Sequence, residues 1–131
     1  MKGHLMRRLA LLAAFFATPA LAGSWMAPNG YRVDGGPQSI VVHPLAGAGS
    51  PGIFCAAATY ALDRLGAQPA DTVVVTTPRS GRVFGPGGET VGFRLDPGAS
   101  PDHGIFLKAS RQGEAVSVAH ARSLCGDDIQ N

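Results

Sequence analysis

Of the four histidines in the chain, His43, His103 and His120 stand well clear of the N-terminus, each in a different segment. Imidazole is the commonest protein metal ligand and a frequent general base. No pair has H-x-H or H-x-x-x-H spacing, so a metal site would depend wholly on folding. No metal and no other cofactor is expected. The same histidines could serve a Ser–His–Asp hydrolase, but there is no G-x-S-x-G elbow, and no residue is assigned a catalytic role. Arg79 and Arg82 share the connection Pro78-Arg79-Ser80-Gly81-Arg82, and Arg94 lies on the apolar-alternating segment that follows. A hairpin would gather Arg79, Arg82 and Arg94 into an edge suited to a carboxylate or phosphate. The plainer reading, which we prefer, is that such arginines serve solubility and guard sheet edges. Gly47-Ala48-Gly49-Ser50-Pro51-Gly52 matches G-x-G-x-x-G. It lacks the acidic residue about 20 positions on that a dinucleotide site uses, so it reads as a loop entering a helix.

The N-terminus places these residues in a compartment. Met1 to Arg8 is basic, Leu9 to Ala22 is an uncharged apolar run, and Ala20-Leu21-Ala22 ends it with small residues. This three-part pattern predicts a signal peptide over 1–22, cut between Ala22 and Gly23, and a single exported domain over 23–131. The run is too short for a spanning helix, which needs about 20 apolar residues. Ser24 stands where a lipoprotein would need cysteine, so no membrane anchor is expected after cleavage, and the predicted location is the periplasm.

Losing Lys2, Arg7 and Arg8 leaves eight basic against nine acidic residues in the 109-residue mature chain, a net charge of −1. The basic character of the precursor therefore belongs to the leader and gives no argument for nucleic acid as a partner. Cys55 and Cys125 are the only cysteines. In an oxidising compartment they predict one disulfide, and a reactive thiol is the lesser alternative.

The elements that must position these residues are legible in outline. Gly23 to Pro37, with its Asn-Gly and Asp-Gly-Gly turn signals, reads as an irregular arm with a short extended piece at Tyr31–Val33. Ser39–His43 is a β-branched strand. Ser50-Pro51 reads as an N-cap and first turn, opening an alanine-rich helix over 53–65 that ends at Gly66 and carries one apolar stripe. Strands are expected at Asp71–Thr77, Thr90–Leu95 and Ile105–Ser110, the last with a helix start at Ser100-Pro101-Asp102 as alternative. The segment 115–125 reads either as a Ser117-capped helix over Val118–Cys125 or as a hairpin strand over Ala115–Ala119. Tyr60 is expected to pack with its hydroxyl at the rim of the core, and Trp25 to dock the arm. The sum is an α+β fold: about four mostly antiparallel strands with one long helix, and a short C-terminal helix as the alternative, on one face.

Ile53–Ala61, Thr90–Pro97 and Ser117–Cys125 resemble segments of small exported proteins of alphaproteobacteria. The resemblance favours the helical alternative for the last segment and a Cys55–Cys125 bridge, and it implies no activity. The sequence thus favours a non-enzymatic binding or structural interaction module, with another envelope protein as the partner class. The rivals are a small periplasmic hydrolase with a cleft around His103 or His120, and an anion-binding module using the arginines.

Overall fold

The computed structural model describes residues 25–80 and 88–128. The predicted signal peptide, its cleavage position at Ala22 and Gly23, and Arg82 lie outside the described residues. Among the described residues six strands form one antiparallel sheet: β1 (Trp25–Met26), β2 (Arg32–Gly36), β3 (Ser39–His43), β4 (Thr72–Thr77), β5 (Val91–Asp96) and β6 (Ala115–Ser117). Their spatial order is β1-β2-β3-β5-β4-β6. The helices are α1 (Ser50–Arg64), α2 (Val118–Ser123) and α3 (Cys125–Asp128). The α+β class and the antiparallel sheet are as expected, but the sheet has six strands rather than four.

The two extra strands come from the arm. Val33 pairs with Val42 and Gly35 with Ile40, so the arm adds an edge to the β-branched run it precedes. The Asp34-Gly35-Gly36 signal is not the turn; it lies within β2, and Pro37-Gln38 makes the reversal. Gly35 sits at φ +101°, and a Cβ there would stand 1.9 Å from the Ser39 carbonyl oxygen. Gly35→Ala is therefore expected to destabilise the protein by about 2 kcal/mol or more, from left-handed strain plus the clash. The urea midpoint measures this, and an unchanged midpoint would refute the close approach.

The expected strand at Ile105–Ser110 does not form. The free edge of β4 is taken by β6 instead, with Val73 opposite Val116. Both readings of the last segment hold in part: Ala115–Ser117 is strand, and Ser117 then caps α2, its hydroxyl accepting from the His120 N–H at 3.1 Å.

Alternation sorts the sheet into two faces. Val33, Ile40, Val42, Val73, Val75, Val91, Phe93 and Val116 are all fully buried toward α1, where Phe54 meets Phe93 edge to face at 5.2 Å. Arg32, Asp34, His43 and Arg94 point the other way. α1 begins as the Ser50-Pro51 pair predicts, but the cap is Gly49 and makes no side-chain hydrogen bond. The Ser50 hydroxyl instead accepts from the Ala109 N–H at 3.0 Å, tying a distant loop to the helix start. The helix stops before Gly66, at φ +70°, with the Ala67 N–H bonded to the Ala61 carbonyl. Gly52 to Ala61 is buried all round, not along one stripe, because α1 lies between the sheet and α2 and α3. Its alanines permit that approach on both sides.

Cys55 and Cys125 form the expected disulfide, with Cα atoms 5.0 Å apart, joining α1 to α3. Tyr60 donates its hydroxyl to the Gly35 carbonyl, and Trp25 packs on Tyr60 with ring centroids 5.5 Å apart, docking the arm. No helix among the described residues is long and apolar enough to cross a membrane.

Candidate functional site

The connection between β5 and β6, residues 97–114, holds the two most exposed large apolar side chains among the described residues. It crosses the outer face of the sheet, where the Thr72 hydroxyl donates to the Ala99 carbonyl. It then pairs Asp102 with Ala115 through two backbone hydrogen bonds of 2.9 and 3.0 Å. Farther on, Ala109 is fully buried and its carbonyl accepts from the Arg79 N–H at 2.9 Å. Between these anchors Ile105 is 95% exposed and Phe106 80% exposed.

The return of the loop is organised by Glu114, whose side chain is 1% exposed. Its carboxylate accepts from the Lys108 N–H at 2.6 Å and from the Arg111 guanidinium. Arg111 also reaches Asp102 at 3.4 Å, so one guanidinium joins both ends of the loop. The hydrogen bond to Glu114, then the Asp102 charge, raise the Arg111 pKa above its ordinary value. Glu114 and Arg111 escaped the sequence reading. A glutamate after Gln112-Gly113 looks like any solvated turn residue, and no local pattern announces its burial.

The fold divides the three histidines. His43 lies on the outer face of β3, its Nδ1 3.2 Å from Arg32 Nη2 and its Nε2 3.0 Å from Asp34 Oδ2. Guanidinium only donates, so Nδ1 accepts and Nε2–H donates to Asp34. Both nitrogens are thereby engaged. His103 and His120 lie at the far side of the sheet, in ring contact across the β6 segment. Among the described residues, neither ring forms a hydrogen bond to a serine hydroxyl or a carboxylate, the contact that a Ser–His–Asp arrangement would use. Among the described residues no group of three or more His, Cys, Asp or Glu side chains is gathered for a metal ion.

The arginines are drawn apart. Arg79 makes two bonds to Glu89, at 3.3 and 3.1 Å, and one of 2.7 Å to the Ala48 carbonyl beside the start of α1. Arg94 lies on the outer face of β5 and pairs with Asp96 at 3.6 Å. The register separates Arg79 and Arg94 by about five residues along the strands, roughly 15 Å, and each has a carboxylate in place. The cleft beside Arg79, lined by Pro44 to Gly47, Gly88 and Glu89, encloses about 210 Å³. That is below the roughly 300–1,000 Å³ of ordinary small-molecule sites. Gly47-Ala48-Gly49 belongs to the same connection, a loop into α1 beneath an antiparallel sheet, whereas dinucleotide folds use a mostly parallel one.

Compared with protein-family models, with curated proteins and with solved structures, the chain matches none.

Proposed function

We propose that the protein is a small exported module, periplasmic in location, that works by binding another envelope protein rather than by catalysis. The observation that carries this reading is the Ile105–Phe106 pair, 95% and 80% exposed on a loop held at both ends. Fully burying an isoleucine or phenylalanine is worth about 1.5–3 kcal/mol. A loop anchored by Ala109, Glu114 and the Asp102–Ala115 pair holds both side chains in water at little further entropic cost on binding. Adjacent aliphatic and aromatic side chains on a protruding loop fit a concave apolar pocket of a protein partner. A disulfide across 70 residues is compatible with export, since such bonds persist in oxidising compartments. The predicted signal peptide supplies the route.

The test is photo-crosslinking in the native envelope with a photoreactive phenylalanine analogue at position 106. One protein adduct is expected, displaced by excess parent protein and not by the Ile105→Ser/Phe106→Ser variant. The recovered chain should begin at Gly23. Adducts to lipid alone, adducts that the variant displaces equally well, or an intact Met1 would overturn the reading.

A further inference from the structure

We propose that His103 and His120 form a two-histidine site for a divalent transition-metal ion of the zinc class. Their ring centroids are 5.3 Å apart and the planes meet at 72°. Zinc binds an imidazole nitrogen at about 2.0–2.1 Å, which puts each ring centroid about 3.2 Å from the ion, and a tetrahedral angle then separates two centroids by about 5.2 Å. The observed separation matches that of two imidazoles on one tetrahedral ion, and with the His103 ring held by the Gly104 carbonyl, aiming both lone pairs falls to rotation of the His120 ring.

The hydrogen bonding points the same way. His103 Nδ1 lies 2.8 Å from the Gly104 carbonyl oxygen. A carbonyl only accepts, so Nδ1 carries the proton and Nε2 keeps its lone pair. A ring N–H given to a backbone carbonyl is the usual support of a metal-bound histidine, fixing tautomer and orientation. The His120 ring makes no hydrogen bond among the described residues; only its backbone is engaged, by Ser117 and Ser123. One of its nitrogens is therefore available to a ligand.

Both backbones are held. His103 follows Asp102, which is paired to Ala115 by two hydrogen bonds. His120 lies in the first turn of α2, capped by Ser117 at the end of β6. A strand of three residues therefore fixes the distance between the two imidazoles, and the fold has met most of the ordering cost before the ion arrives. Two protein ligands leave water to complete the tetrahedron. The site is independent of the partner-binding reading above and stands or falls in the purified protein.

The experiment is calorimetric titration of untagged, metal-free protein with zinc chloride, with cobalt(II) absorption as the spectroscopic counterpart. One ion per chain is expected. His103→Ala and His120→Ala should each weaken binding more than tenfold, the double variant should abolish it, and His43→Ala should leave it unchanged. The rings stand at the surface, and circular dichroism is to check that the variants fold. Absence of binding to the parent protein, equal binding by the double variant, or an equal loss with His43→Ala would overturn the proposal.

Discussion

Replacing Cys55 and Cys125 together by alanine is expected to cost about 4 kcal/mol of stability, the largest effect of any change that leaves the core shape nearly intact. The bridge closes a 70-residue separation, so its removal restores to the unfolded chain the freedom of most of the domain. Alanine is the informative replacement. Cys55 is fully buried in α1, and serine there would add the separate cost of burying a hydroxyl. For a domain of this size each kcal/mol is worth about 4 °C or more, so the melting temperature should fall by roughly 15 °C. The loss should also be uneven. α2 keeps its own anchors, the buried Val118 and Ala121, while α3 loses its tie to α1, so exchange of the α3 amides should rise first. Thermal unfolding and hydrogen exchange of parent and variant decide the matter. A loss under about 1 kcal/mol would mean that the bridge does not constrain the unfolded chain as this loop length demands.

Arg111→Ala is expected to lower the urea midpoint clearly, by more than loss of a surface arginine normally does. The arginine side chain is nearly half exposed, but its partner Glu114 is 1% exposed. Removing the guanidinium strands a buried carboxylate, and the partial exposure of Arg111 keeps the loss below that of a fully buried pair. Glu114→Gln should cost less, about 1–2 kcal/mol, because the amide oxygen can still accept from the Lys108 N–H. On that background Arg111→Ala should add little, and the coupling in a double-mutant cycle measures the stranded charge. Since Arg111 also reaches Asp102, the whole 102–114 loop should loosen, and proteolysis near Phe106 should accelerate with the fall in stability. If Arg111→Ala leaves the urea midpoint unchanged, Glu114 is satisfied without it, and the loop must owe its order to the Asp102–Ala115 pair.

The parts of the fold that were legible beforehand are those whose cause is local. Ser39–His43 is a strand because a β-branched run packs well on a pleated surface. Ser50-Pro51 and Gly66 punctuate α1 because a proline without an N–H and a glycine at positive φ suit helix ends and little else. The arm was misread for the converse reason. Asp34-Gly35-Gly36 has the composition of a turn, and it becomes strand only because Ile40 and Val42 present a ladder edge to it. Likewise Ile105–Phe106 has the composition of a strand. β6 outcompetes it for the edge of β4 by burying Val116 against Val73, and the apolar pair is left in water.

By itself the sequence determined the class of the fold, the positions of α1, β3, β4 and β5, and which two cysteines would join. These depend on periodicity, propensity and a count of two. Only the tertiary structure decided the surfaces that matter for function. It engaged both ring nitrogens of His43 with Arg32 and Asp34, and it paired Arg79 and Arg94 with separate carboxylates. It brought His103 against His120 across seventeen residues and buried Glu114 beneath an exposed loop. The physical reason is the same in each case. These placements are set by strand register and by which chain occupies a sheet edge, and such long-range competition leaves no periodic trace in the residues themselves.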